Sequence, residues 1–578
     1  MALSVFYDGD CPFCQKYMSL IRIKETAGPI TLIDLREHPD KKNDLIKKGF
    51  NLDKGMVIDL DGRLIGGHEA VNHLALLSTP STLFNKINKW IMSIGFLAAF
   101  LYPILRAGRW LVLFAMGRTQ IMPEEQGAQA RATIFGLLFS LFSIFHFFNY
   151  TLKYGRLPPD WDLVLLLISA IFLFFKPQSS RLLFLLMLTS TISAIAQAPI
   201  NSNHTIVRNF AILGYWFAFI YTALRGRSWT QIFTNFTVAG QGTLFVMYFW
   251  GVFHKINSDF LNPDTSCAVS LWHKMPTPLN LIRFDAMYYL AIYGTFIIET
   301  ILVLMLLSKR WRHIGIICGI CFHILLALSG YAMYITFTTL AIALHCLFLN
   351  EEAALNIQNS TLMKFITDRK RHPVYIGAAL ILVFLVILMA LTRQYSIVTI
   401  LMLPILLPFC FVIMRHGSSQ QRLTPTENRA SANVIGGMAT ALFFANCAMP
   451  YFGLKTAQAV NMFSNLRLEA GVSNHLVMKN VPKPFKYLED VAKVTEVTPR
   501  NIIATYDVNE RAEVYYDLLA FVSDTPGAVV SYTRNGKAYK NMTADTLSED
   551  IETILHPKWF RKWFHFRPVR LTEPRICG

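Results

Sequence analysis

Charge is what this chain has least of. Only 16% of its 578 residues are Asp, Glu, Lys or Arg, while 53% are apolar. Soluble domains carry about a quarter of their residues as charges, so a wholly soluble molecule is excluded and long apolar runs are expected to lie in a bilayer. Cysteine is scarce too: nine in 578 do not make a disulfide scaffold. No nucleic-acid module accompanies the net charge of +17, which therefore reads as Lys and Arg holding loops on the cytoplasmic side of a membrane. No cleavable leader is expected, because the chain opens on a short apolar strand and reaches charge at once.

What is present divides the chain into four parts. The expected fold is a polytopic α-helical membrane protein of about eleven spans. An N-terminal thioredoxin-like α/β domain occupies 1–88, an amphipathic membrane-surface segment 89–126, the transmembrane domain 127–454, and a C-terminal mixed α+β extramembrane domain 455–578. In the first part, Leu3 to Tyr7 reads as a strand, and Cys11-Pro-Phe-Cys14 enters a helix running to about Lys24. Ile30 to Leu35 is a second strand, Pro39 to Lys48 a helix, and Met56 to Leu60 with Asp61-Gly62-Arg63 opens a hairpin. Cys-x-x-Cys after a strand and at a helix N-terminus is a redox motif: the helix end favours the Cys11 thiolate, and Cys14 resolves a mixed disulfide. A metal half-site and a redox-dead relic remain as alternatives. The phrase Tyr7-Asp-Gly-Asp-Cys-Pro-Phe-Cys14, with Gly66-Gly-His-Glu-Ala70 later, resembles the DCC family of thiol-disulfide oxidoreductases (DUF393) over about residues 3–118. The strand Met56–Leu60 lacks the proline that thioredoxins place there.

Residues 90–117 are apolar but broken by Pro103, Arg106 and Arg109, which suggests an amphipathic hairpin on the cytoplasmic face. Spans are expected at 128–150, 161–176, 181–198, 204–224, 233–253, 284–307, 313–330, 332–349, 374–392, 395–414 and 432–454. With the N-terminus cytoplasmic, fourteen Lys and Arg fall in inside loops and six in outside loops. The positive-inside rule then puts Lys255 and everything after Leu454 outside, with a bacterial inner (cytoplasmic) membrane as the expected location. In the tail, Val514–Phe521 and Ala528–Thr533 read as strands and Ala544–His556 as a helix. The basic, aromatic stretch Lys558–Arg567 suits lipid headgroups or an ordinary amphipathic helix equally.

Lys255 ends an apolar run of spanning length. A snorkelling anchor and a base at the edge of an apolar cavity are both open. Lys255-Ile-Asn-Ser-Asp259-Phe-Leu, and the later Phe463-Ser-Asn-Leu-Arg467 with Asn474-His475-Leu476, resemble the horizontally transferred transmembrane (HTTM) family, which includes vitamin K-dependent gamma-glutamyl carboxylase. The resemblance implies that Lys255 deprotonates a reduced quinone of the vitamin K or menaquinol kind. O2 and CO2 are then consumed to carboxylate an exported peptide. It also implies that Asn203 and His204 contact the quinone, with a capping pair as the alternative. His323 loosely resembles a membrane histidine of the carboxylase, or is a core histidine. Arg208 and Glu299, ionisable residues inside spans, are expected to pair with each other, as structure or as a substrate holder. Cys318-Gly-Ile-Cys321 reads as packing within a helix. Cys267 and Cys447, both towards the outside, are a possible disulfide pair.

Three functional classes follow. The first is a quinone-dependent carboxylase acting through Lys255. The second is a membrane thiol oxidoreductase acting through Cys11 and Cys14. The third is a non-catalytic maturation or transport factor for an exported peptide. Membrane lipid, a quinone and an exported peptide are the expected partners. No metal and no nucleic acid are expected.

Overall fold

The structure, a computed structural model, describes residues 3–12, 14–15, 30–77, 86, 95–118, 126–153, 158–199, 202–225, 228–369, 373–417, 429–480, 484–498, 511–571, 574 and 577. The helix expected from Cys14 to Lys24 lies mostly outside them. The chain divides into two compact units. One is Met1–Ala132 with Ser179–Arg181 and Tyr215–Phe236; the other is Thr133–Gln178, Leu182–Gly214 and Thr237–Gly578.

The first unit is built on a four-stranded sheet of β1 (Leu3–Tyr7), β2 (Ile30–Asp34), β3 (Val57–Leu60) and β4 (Arg63–Gly66), in the order β2-β1-β3-β4. β1 is parallel to β2 and antiparallel to β3, and β3 is antiparallel to β4. Alternation along β1 sends Leu3 and Val5 to one face and Phe6 to the other. The first face packs with Cys11, Cys14, Ile58, Ala70 and Leu74. The second packs with Ile33, Leu45 and Leu52. Helices α1 (Pro39–Lys47) and α2 (His68–Leu77) cover the sheet. The β3–β4 turn places Asp61 at φ 50° and Gly62 at φ 87°, the left-handed pair of a two-residue hairpin.

The segment with Pro103, Arg106 and Arg109 is not a hairpin. It is one helix, α3 (Gly95–Met116), with Pro103 inside it. Packing explains the difference. Trp110 meets Phe219 with ring centroids 5.3 Å apart, and Phe114 meets Trp229 at the same separation, so tertiary burial outweighs the local cost of the proline.

The second unit is largely helical. Its chain, with the stretches shared with the first unit, runs through α4 (Gln126–Phe148), α5 (Trp161–Phe175), α6 (Ser180–Gln197), α7 (Asn203–Arg225) and α8 (Thr230–Phe253). Two short helices, α9 (Ser258–Leu261) and α10 (Cys267–His273), precede α11 (Asp285–Leu307) and α12 (Arg312–Leu328). Then come α13 (Ile335–Cys346), α14 (Glu351–Asn359), α15 (Thr361–Arg369), α16 (Pro373–Leu391), α17 (Tyr395–His416) and α18 (Arg429–Ala448). Among the described residues seven helices are long and apolar enough to cross a membrane, or eight if α13 and α14, bent by 120°, are one span. The expected eleven are thus not confirmed among the described residues. Of the other expected spans, α5 and α12 are apolar helices of 15 and 17 residues, the former about 22 Å long at 1.5 Å per residue against a hydrocarbon core of about 30 Å, while α16 runs for 19 residues. Several apolar helices of spanning length are what a multi-pass membrane protein requires.

The C-terminal part of this unit holds an antiparallel sheet of β5 (Val491–Thr498), β6 (Arg511–Val514), β7 (Val529–Arg534), β8 (Lys537–Met542) and β9 (Val569–Arg570), in the order β8-β7-β5-β6-β9. Helices α19 (Tyr515–Asp524), α20 (Ser548–Ile554) and α21 (Lys558–Arg561) accompany it. Residues 515–521, expected as strand, are helix. Tyr515, Leu518, Leu519 and Val522 are buried, an i, i+3, i+4, i+7 spacing that fits one helix face. The aromatic and β-favouring composition conceals it.

Candidate functional site

Cys11 and Cys14 sit where β1 turns into the following segment. The turn is tight: the Cys11 amide donates to the Asp8 carbonyl at 3.0 Å, and the Gly9 amide donates to Asp34 Oδ1 at 3.0 Å. A β-carbon on Gly9 would collide with that carboxylate, so glycine is required there. The Cys14 amide donates to Cys11 Sγ at 3.2 Å. Both thiols are buried, Cys11 completely. Leu113 of α3 and Met56 pack in the same cluster.

A residue not singled out as catalytic completes the site. Arg109 of α3 donates from Nε to Cys11 Sγ at 3.1 Å, from Nη1 to the Asp53 carbonyl at 2.7 Å, and from Nη2 to Asp8 Oδ2 at 3.0 Å. Asp8 also pairs with Arg36, Nε to Oδ1 at 2.9 Å. The guanidinium is thus held on three sides with one N–H aimed at sulfur. The hydrogen bond from the Cys14 thiol, then the Arg109 charge and the Cys14 amide, bring Cys11 down to about 6 against the opposing effect of burial. Cys14 moves upward, because it donates to Cys11 and is buried. One thiolate and one thiol side by side are what disulfide exchange uses: a nucleophile, and a second sulfur held in reserve. The legible signal for Arg109 was a cation within an apolar helix, which requires a partner. No proline precedes β3; Gly55 stands there at φ 151°, where a β-carbon would meet the Tyr102 hydroxyl.

The second candidate centre lies wholly in the second unit. α8 ends at Phe253, the chain turns, and Asn257 caps α9 by accepting from the Phe260 amide at 2.8 Å. Two stretches 200 residues apart interlock at this turn. Asn257 Nδ2 donates to the Ser464 carbonyl at 2.6 Å, the Ser258 amide to the Asn474 carbonyl at 3.0 Å, and the Leu476 amide to the Ile256 carbonyl at 2.9 Å. His475 Nε2 lies 3.0 Å from the Phe253 carbonyl. Lys255 is buried, and its Nζ donates to both oxygens of Glu299 at 2.7 Å. Asp259 points elsewhere and accepts from Asn474 Nδ2 at 2.9 Å.

Glu299 therefore pairs with Lys255, not with Arg208 as expected. A buried ammonium needs a carboxylate, and α11 presents one. Arg208 is directed to His146, Nη1 to Nε2 at 3.3 Å, and to Asn209, Nε to Oδ1 at 3.0 Å. A cavity of about 390 Å³ opens beside the pair, lined by His204, Gly251, Lys255 and Glu299 and by apolar side chains including Met247 and Phe463. His204 is oriented by Ser202, Oγ to Nδ1 at 2.8 Å. Asn203 begins α7, and its side chain lies outside the described residues. His323 does not line the cavity, although Phe322 does; its Nε2 is 2.9 Å from the Tyr248 hydroxyl. The loop that closes this wall is strained: Val460 and Phe463 adopt φ of 59° and 57°, where a β-branched residue is an outlier. Cys267 is bonded to Cys577, not Cys447, which is free and buried; Cys318 and Cys321 are free on α12. Among the described residues no cluster of His, Cys, Asp and Glu could hold a metal.

Residues 5–114 match the DCC1-like thiol-disulfide oxidoreductase family model. No curated protein and no solved structure matches the chain. The matched stretch contains Cys11, Cys14 and Arg109, and the geometry around them is that of a thiolate–thiol pair. Residues 5–114 are a DCC1-like thiol-disulfide oxidoreductase domain.

Proposed function

We propose that the chain is a membrane-embedded thiol-disulfide oxidoreductase in which Cys11 attacks and Cys14 resolves. The observation that carries this reading is the Arg109–Cys11–Cys14 contact set. The Cys11 thiolate attacks one sulfur of a substrate disulfide; that S–S bond breaks and the other sulfur leaves as a thiolate. Cys14 then loses its proton to the leaving thiolate or water and attacks Cys11 Sγ. Reduced substrate departs, two electrons have passed to it, and Cys11–Cys14 is a disulfide. Run backwards, the same steps oxidise a substrate dithiol. In the full-length protein, Cys14→Ser is expected to accumulate a mixed disulfide with a model disulfide peptide, while Cys11→Ser accumulates none and loses exchange. A Cys11→Ser variant with full exchange activity would overturn the assignment.

A second reading rests on the cavity beside Lys255. Its lining fits a lipophilic ring: the walls are mostly apolar and include the Lys255 ammonium, the Glu299 carboxylate and the His204 imidazole. A reduced quinone there would supply an acidic hydroxyl and, with O2 and CO2, the carboxylation of an exported peptide that the HTTM resemblance implies. The chain's own part is proton handling. Glu299 takes the proton of the Lys255 ammonium, and the freed amine accepts the hydroxyl proton, so the Lys255–Glu299 contact is a proton-sharing pair and not merely an anchor. Asn203 and His204 serve as quinone-side contacts in this reading.

Orientation is part of the same proposal. With the eleven spans read from the sequence, an odd number, the charge bias puts the N-terminus inside and the C-terminus outside. The Cys267–Cys577 disulfide supports an oxidising, extracytoplasmic position for the Lys255 side. Reporter fusions at residues 120 and 578 are expected to report opposite compartments; the same compartment for both would sink this topology. The thiols and Lys255 then face different compartments and work on different molecules.

A further inference from the structure

At 100° per residue, the side chains of α3 separate into two arcs. One carries Arg109, Trp110, Leu113 and Phe114, and it is spent on Cys11 and on the aromatic rings of α7 and the loop before α8. The other arc contains Ile104, Leu105, Leu111 and Met116, all exposed, between 43% and 55%. The small residues Gly108 and Ala115 fall between them, and no charged residue interrupts the arc. A helix face in water carries charge, and an uncharged exposed face needs an occupant.

The surroundings of α3 identify it. Arg106 donates to the Leu224 carbonyl at the end of α7, Trp110 packs on Phe219 of α7, and Phe114 packs on Trp229 just before α8. α7 and α8 both have the length and composition of membrane spans. α3 is thus fastened to the ends of two helices of spanning length, and the end of a span is where a bilayer's interface begins. With Arg106 and Arg109 turned to the protein side, its remaining face is that of an in-plane interfacial helix.

We propose that this uncharged arc of α3 is a lipid-contact surface that seats the thiol domain on the bilayer interface, with α3 lying between Cys11 and the lipid. The partner is the headgroup–acyl boundary of a phospholipid membrane. The lipid contact stands apart from the thiol chemistry; only the consequence for Cys11, that its cover is a membrane-seated helix, rests on the oxidoreductase reading.

The test uses the full-length protein in nanodiscs of phosphatidylcholine and phosphatidylglycerol containing a diazirine-bearing phospholipid. After illumination, lipid adducts are mapped by peptide mass spectrometry. Adducts are expected on Ile104, Leu105 and Leu111 and not on Leu113 or Phe114. In the Leu105→Glu/Leu111→Glu variant the α3 adducts should be lost, while adducts on α11 persist and report an intact, reconstituted fold. If the variant does not fold, the wild-type pattern alone decides. An α3 without adducts in wild type, with adducts still present on α11, would overturn the proposal. Cys11→Ser is expected to leave the adduct pattern unchanged, so loss of exchange and loss of lipid contact remain separable outcomes.

Discussion

Alkylation of Cys11 at pH 6.5 is expected to slow by roughly tenfold or more when Arg109 is replaced by methionine, because below the midpoint each pH unit lost by a thiolate is a factor of ten in reactive species. In wild type the thiolate fraction rises with pH through about 6, so reactivity is nearly full at neutral pH. Removing the guanidinium withdraws one of the contacts that favours the anion and leaves burial, which opposes it. The profile therefore moves to higher pH. The direction matters: the variant should be slow at pH 6.5 and recover at pH 9.5, where the thiolate forms without help. A loss of rate at every pH would instead mean blocked access. Arg109→Lys should recover part of the shift, since an ammonium supplies charge but cannot reach Cys11, Asp8 and the Asp53 carbonyl together. Peptide mass spectrometry across pH, with Cys11 and Cys14 resolved by fragmentation, gives the profile. An unchanged midpoint in Arg109→Met would leave Cys14 and the local amides as the whole cause.

Glu299→Ala is expected to destabilise the folded protein by about 3–5 kcal/mol, the cost of leaving a buried ammonium without its carboxylate. Lys255→Met/Glu299→Leu, which removes both charges, should cost far less. Thermal unfolding in detergent, with the two variants beside wild type, tests the pair as structure. The chemistry is tested by Lys255→Arg. Arginine can keep the salt bridge, so the fold should survive. A guanidinium stays protonated, so a base role should be lost as completely as in Lys255→Ala. If quinol-dependent turnover is measurable in wild type and persists in Lys255→Arg, the lysine is a structural partner of Glu299. Loss in both variants with unfolding unchanged for Lys255→Arg would support the base reading.

Parts of this molecule were legible in one dimension because they rest on local rules. Cys11 and Cys14 follow a strand and open a turn, and that spacing alone placed both sulfurs beside each other. Asp61-Gly62 demanded a tight hairpin through its left-handed backbone. The long apolar runs at α4, α8 and α11 could be nothing but helices, since a bilayer leaves no other way to satisfy the backbone.

Other features depend on packing between distant residues. Arg109 lies 98 residues from Cys11, and the same arginine that looked like a break in an amphipathic hairpin became a thiolate partner once α3 folded as one helix against the sheet. Glu299 was seen as ionisable and buried, but which cation it meets depends on how α8 and α11 face each other, and periodicity carries no such information. The Cys267–Cys577 bond spans 310 residues, a separation at which spacing says nothing about geometry. Helix length was likewise set by the fold: α5 and α12 have the composition of spans and end after 15 and 17 residues. Local propensity and hydrophobic period specify elements one at a time. The partners of a buried charge or a thiolate are specified only when those elements pack.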